Sequence, residues 1–175
     1  STAPYASGGT STSLAIDMAI VQFQSASSGV RPESEGVSKV CVILTDGASD
    51  NAPAAIAAAS RLKNMNVNVF TIGLGLNLNT NELTGIASAP VDTHYFNLDQ
   101  VTDIESFAST MATYSCNEPA SINPGETLNT EIEAGAMRYF KPACTIVTDK
   151  LIIEASDLSG TSTSIFVSTT SSNPG

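Results

Sequence analysis

Two short stretches of this 175-residue chain concentrate hard oxygen donors. One is Gly8-Gly9-Thr10-Ser11-Thr12, and the other is Thr45-Asp46-Gly47. A hydroxyl at Thr10 and a carboxylate at Asp46 are ligands suited to Mg²⁺ or Ca²⁺ rather than to zinc. Each residue also has a plainer reading. Thr10 reads as a helix N-cap, and Asp46 as a cap for a helix beginning near Ala52 or as part of a solvated turn. Asp50 offers a further carboxylate ligand but reads better as a solvated turn residue. The single histidine, His94, has no cysteine or second histidine near it in sequence to build a zinc site, so it reads as structural. Gly73-Leu74-Gly75 lacks the third glycine of a dinucleotide loop, so it reads as close backbone packing. There is no G-x-S-x-G elbow, and no nucleophile stands beside an evident base, so no catalytic residue is assigned.

The elements that must position these donors follow from hydrophobic spacing. Leu14, Met18 and Val21, with Ala15 and Ala19 beside them, form an apolar stripe at helical spacing after Gly8-Gly9-Thr10. Thr10 or Ser11 caps the start of that helix. Residues 25–36 are polar, with Gly29, Pro32 and Gly36, and read as a loop. The unbroken apolar run from Lys39 to Thr45 suits a central strand covered on both faces. Asp46-Gly47-Ala48-Ser49-Asp50 ends it with turn chemistry. Asn51, Pro53 and an alanine-rich stretch to Leu62 predict a helix. A second buried strand is predicted over residues 67–72, then a short helix from Asn79 or Thr80. A third strand is predicted over residues 94–98, and a last helix over 102–114 with Ile104, Phe107, Ala108 and Met111 on one face. Helices and strands in alternation predict an α/β fold with a doubly wound, mostly parallel sheet. In such sheets ligands bind beyond the carboxyl ends of the strands, where both donor stretches fall.

Composition narrows the partners. The net charge is −10 with 7 Lys+Arg, which argues against nucleic acid and anionic membrane surfaces as ligands and equally serves simply to keep the chain in solution. Divalent cations and basic protein partners remain compatible with it. No apolar run approaches the roughly 18 residues of a membrane span. Abundant Ser and Thr with scarce Lys suggest a secreted protein. Of the three cysteines, Cys41 lies in the run Val40-Cys41-Val42-Ile43-Leu44 and reads as a small buried hydrophobe. Cys116 and Cys144 stand in polar or mixed surroundings, open to pairing with each other or with a cysteine elsewhere.

With these residues in view, the chain resembles the C-terminal half of a von Willebrand factor type A domain, related to the inserted domains of integrins. Tyr5-Ala6-Ser7-Gly8-Gly9-Thr10-Ser11-Thr12-Ser13-Leu14-Ala15 looks like that family's second metal segment. Val42-Ile43-Leu44-Thr45-Asp46-Gly47 looks like its third. Val67-Asn68-Val69-Phe70-Thr71-Ile72-Gly73-Leu74-Gly75, then Asn81-Glu82-Leu83-Thr84-Gly85-Ile86-Ala87, resembles the next strand and helix, and His94-Tyr95-Phe96 the last strand. The resemblance implies a metal-ion-dependent adhesion site. Thr10 would offer its hydroxyl to the ion, Asp46 would hold it directly or through water, and a partner protein's carboxylate would complete the shell. It also implies an extracellular adhesion or protein-binding module, not an enzyme, with a protein ligand or matrix component as partner. The alternative is a structural subunit of an extracellular matrix or filament, capable of self-assembly, without a working metal site.

One departure matters. The family's first metal segment, D-x-S-x-S, belongs upstream of Ser1, together with two further strands. Without them the 40–44 strand would be an exposed apolar edge, which natural sheets avoid. The chain is therefore read as part of a larger domain, or as a sheet completed by another polypeptide. Asp157-Leu158-Ser159-Gly160-Thr161 mimics the missing segment but reads better as a polar turn. The domain assignment is residues 1–116 for the von Willebrand A-like half, 117–126 for a linker rich in Pro and Gly, and 127–175 for an incomplete β-sandwich segment. Strands are predicted there over 127–132, 137–141, 150–155 and 164–168. Glu131-Ile132-Glu133-Ala134-Gly135, Arg138-Tyr139-Phe140-Lys141, Leu151-Ile152-Ile153 and Leu158-Ser159-Gly160 loosely resemble a bacterial pre-peptidase C-terminal-type β-sandwich.

Overall fold

The structure is a computed structural model that describes residues 8–32, 35–76, 78–98, 107–108, 111–113, 118–130, 132, 136–142, 152–156 and 164–167. It divides into two compact units: 1–31 with 38–118, and 32–37 with 119–175.

The first unit is the α/β one. Helix α1 spans Thr12–Gln24, strand β1 Lys39–Thr45 and helix α2 Ala52–Lys63. Strand β2 follows over Val67–Leu74, then helices α3 (Thr80–Ile86) and α4 (Val91–His94), and strand β3 (Tyr95–Leu98). The sheet is parallel, in the order β1-β2-β3. Lys39 pairs with Val67 and Thr45 with Gly73, while Thr71 pairs with Tyr95. Local sequence accounts for the helix starts. The Asn51 side chain accepts from the Ala54 amide at 3.1 Å, Pro53 sits in the first turn, and Arg61 and Lys63 favour the carbonyl end of α2. Asn79 caps α3 in the same way, accepting from the Glu82 amide at 3.2 Å.

The core lies between this sheet and α1 and α2. Ile16, Ala55, Ala58, Ala59, Leu62, Val67, Val69 and Ile86 form one buried cluster, with Ile20, Phe23, Cys41 and Ile43 packed against it. The alanines of α2 let the helix approach the sheet closely. Strand β2 is buried on both faces, since its side chains alternate and seven of its eight residues are inaccessible. Gly73 packs closely there: a Cβ would lie 2.5 Å from Leu78 Cδ1 and 3.0 Å from Leu83 Cδ1, so a side chain at this position would have to displace those leucine methyls. That is the packing role expected of this glycine.

Several expectations are corrected. Neither Thr10 nor Ser11 caps α1 with its side chain: Ser11 holds the N-cap position but makes no cap bond, because its hydroxyl is used elsewhere. The stripe of Leu14, Met18 and Val21 is 63%, 71% and 59% exposed, and the inward face of α1 is Thr12, Ile16, Ile20 and Phe23. His94 closes α4 instead of opening β3, because its ring Nδ1 lies 2.9 Å from the Pro90 carbonyl one turn back. Strand β2 runs two residues beyond Ile72, because Gly73 and Leu74 pair with Asn97 and Leu98. Of the last predicted helix, only 107–108 and 111–113 are described, in helical conformation, and the Phe107 ring packs tilted at 56° against Phe96, with centroids 4.6 Å apart.

In the second unit, described by itself, strands β4 (Ala120–Ile122) and β5 (Phe140–Pro142) pair in parallel. Strand β4 therefore lies within the stretch read as linker. Residues 127–130, 132, 152–156 and 164–167 carry no strand, although strands were predicted over them. Their alternation has no pairing partner among the described residues, and Ile132, Ile152, Ile153, Ile165, Phe166 and Val167 are exposed. Sheet formation needs that partner as much as the pattern. Cys116, Cys144, the 157–161 turn and part of the β-sandwich resemblance lie outside the described residues.

Candidate metal site

Strand β1 delivers its carboxyl end into a tight bend. The Thr45 hydroxyl accepts from the Gly47 amide at 3.3 Å and donates to the Gly47 carbonyl at 3.0 Å. This local turn holds Asp46 between them and leaves its carboxylate exposed. Asp46 does not cap α2, because Asn51 does. Thr10, half-buried, lies on the segment leading into α1.

The fold brings these two segments together, and Asp50 is what joins them. Its amide donates to the Thr10 carbonyl at 2.9 Å. Its carboxylate accepts from the Thr10 amide at 3.1 Å and from the Ser11 hydroxyl at 3.4 Å. From the other side, Glu82 on α3 accepts from the Ser49 amide at 3.2 Å. Glu82 is 3% exposed, and a buried carboxylate must be hydrogen-bonded to be tolerable. The Ser49 hydroxyl is buried without a partner.

Sequence reading missed both residues. Asp50 reads in sequence as a ligand or a solvated turn residue, yet its bonds reach across 40 positions of sequence, which no local signal announces. Glu82 had a faint signal: Asn79 followed three residues later by Glu is the pattern of a reciprocal capping box. Here only the Asn79 half is used for capping, and the Glu82 side chain turns to the β1–α2 loop.

The remaining candidates resolve as structural. His94 is 2% exposed, stacked on Phe70 at 4.5 Å, with Nε2 3.1 Å from a Glu118 carboxylate oxygen. Nε2 makes no hydrogen bond, so the contact is one of proximity rather than a directed bond. Cys41 is a half-buried free thiol whose pKa is raised by burial, which suits packing better than reactivity.

The donor set fits a hard divalent cation in kind, since it offers a hydroxyl and a carboxylate at one end of a parallel strand. It falls short in number. Thr10 and Asp46 would supply at most two of the roughly six oxygens such an ion takes. Among the described residues no group of three or more His, Cys, Asp or Glu gathers around a common point.

An α/β module with oxygen donors beyond the carboxyl end of a parallel strand is a ligand-binding class of fold. Comparison with known proteins narrows the class. The von Willebrand factor type A domain matches residues 1–110. This chain belongs to that family. It is 30% identical over 110 residues to human Matrilin-4, covering 63% of this chain and 17% of that protein. Its fold is similar to that of proximal thread matrix protein 1 from the mussel byssus, with a TM-score of 0.57 at 19% identity over 70% of this chain and 31% of that one. A form of the same byssus protein with a zinc-occupied MIDAS motif superimposes with a TM-score of 0.52 at 24% identity, over 66% of this chain and 26% of that one. The chain thus spans less than a third of each of these relatives.

Proposed function

We propose that this chain is part of an extracellular protein-binding module that captures its partner through a divalent cation. Thr10 offers a hydroxyl and Asp46 a carboxylate to Mg²⁺ or Ca²⁺, and a carboxylate from the partner protein fills an open position. When bound, the ion supplies the positive charge that makes an acidic side chain a tight ligand. The observation that carries this reading is the Asp50 bridge, which seats the Thr10 segment against the loop bearing Asp46. The byssus protein with zinc at its own MIDAS motif supports the reading only in general, as a similar fold that takes a divalent cation.

The open edge of β1 belongs to the same proposal. Strand β1 ends the described sheet, and Val42 and Leu44 are 49% and 51% exposed. A further parallel strand there, bearing the D-x-S-x-S donors, would supply the ligands that Thr10 and Asp46 lack. We assign no catalytic role. Among the described residues no helix is long and apolar enough to cross a membrane.

A second reading has its own support. With two donors in place and matrix proteins among its relatives, the chain also suits a structural subunit of an extracellular matrix that assembles without metal. Partner capture in the presence and absence of EDTA separates the two. Asp46→Ala sharpens the result: as a cation ligand it abolishes EDTA-sensitive binding, while stability changes by less than about 0.5 kcal/mol, as for an exposed residue. Assembly indifferent to both treatments selects the structural reading.

A further inference from the structure

We propose that Asp50 is a positioning residue of the cation site, clamping the Thr10 segment in place, and that Gly9 is there to admit it. The proposal rests on the cation reading above. Asp50 never needs to touch the ion. Among the described residues its bonds run to the neighbouring segment: the Thr10 amide and the Ser11 hydroxyl to its carboxylate, and its own amide to the Thr10 carbonyl. Three bonds to two adjacent residues fix both the height and the rotation of that backbone. The Thr10 side chain is thereby held relative to Asp46, four residues before Asp50 on the same loop.

Gly9 completes the device. A Cβ at this position would lie 2.8 Å from Asp50 Oδ1 and closer still to Oδ2, so any side chain there evicts the carboxylate. Gly8, its neighbour, has open space around the same point. The two glycines are therefore not equivalent: position 8 has room for a side chain and position 9 does not. The loop is braced on its far side by Glu82, so the clamp has a fixed base to pull against.

A clamp and a ligand are told apart by charge. Asparagine keeps an oxygen for the Thr10 amide and an NH₂ that the Ser11 hydroxyl can accept from, but it cannot serve as an anionic ligand. The experiment titrates Mn²⁺ into the full chain by calorimetry and follows amide exchange at Thr10 by NMR. For Asp50→Ala we expect affinity to fall by about 10- to 100-fold, as for residues that orient metal ligands, with the unfolding midpoint little changed. Gly9→Ala reproduces that loss, and Asp50→Asn recovers most of it. The Thr10 amide exchanges on the order of tenfold faster in Asp50→Ala and Gly9→Ala than in the natural chain. Asp50→Asn losing as much affinity as Asp50→Ala would overturn the proposal in favour of direct ligation. Asp50→Ala leaving both affinity and Thr10 exchange unchanged would overturn it outright. If the natural chain takes up no Mn²⁺, the cation reading fails, and the Thr10 amide alone then decides whether the clamp exists.

Discussion

Strands β1 and β2 lie side by side in register, and both are runs of β-branched and apolar residues, but they meet different surroundings. Strand β2 has a partner on each side and is covered above and below. Among the described residues strand β1 has one strand partner and one covered face: Cys41 and Ile43 pack on the core, while Val42 and Leu44 point the other way and stand half exposed. Helix α1 repeats the asymmetry, with Ile16 at 1% exposure and Met18 at 71%. A helix apolar on both sides and a parallel strand apolar on both faces are elements composed for a two-sided interior. In the described residues only one side of that interior is present. Each large apolar side chain left in water forgoes about 1.5–3 kcal/mol of burial. Val42, Leu44, Leu14, Met18 and Val21 therefore mark where further cover would stabilise the unit most.

That contrast can be broken or sharpened by substitution. The largest effect is expected inside the finished strand. Phe70→Ala removes a fully buried ring and the stacking partner of His94, and should cost about 3–5 kcal/mol in urea unfolding. A loss below about 1 kcal/mol would mean that β2 is not the centre of the core.

Lys63 comes next. Its Nζ donates to the Gly85 and Ala87 carbonyls at 3.1 and 3.0 Å, tying the end of α2 to the end of α3. Lys63→Ala should cost about 1 kcal/mol, at the low end for charged hydrogen bonds because the group is partly solvated. Burial holds the Lys63 pKa below its ordinary value of 10.5. Between the folded value and 10.5 the unfolded chain therefore binds more protons than the folded one, and stability from this group rises with pH. Measured as natural chain minus Lys63→Arg, the stability difference should climb over that alkaline window. A flat difference would place the ammonium in solvent.

The smallest effect belongs to the open strand. Val42→Thr and Leu44→Thr should each change stability by less than about 0.5 kcal/mol. Sedimentation should show less self-association in the double variant, because an apolar edge is what draws chains together. A loss of several kcal/mol would show that β1 is already covered.

Legibility from sequence follows the same divide. Strand β1 was readable to its ends, and α2 and α3 to within a residue, because Asn51, Pro53 and Asn79 act on their own neighbours. The inward face of α1 was not readable. Its two apolar stripes look alike in sequence, and packing against α2 chose Ile16 over Met18. The helical turn ending at His94 was missed because four residues are too few for a period to show. In the 127–175 stretch the predicted 137–141 strand overlaps β5, which has β4 to pair with, while 127–130, 152–156 and 164–167 alternate without a partner among the described residues. At the site, Thr10 and Asp46 were legible as oxygen donors at turns. Asp50 and Glu82 were not, because their roles depend on which segment the fold lays beside them.

The register of β1 on β2 also has a mechanical meaning. Seven residue pairs, from Lys39 with Val67 to Thr45 with Gly73, run alongside one another in the same direction. A tether pulling on Asp46 along the strand axis would load all of these rungs together in shear. They would not open one after another like a zipper. Such a joint yields late and all at once, which is a useful property wherever a site at the tip of a strand must stay shut under tension.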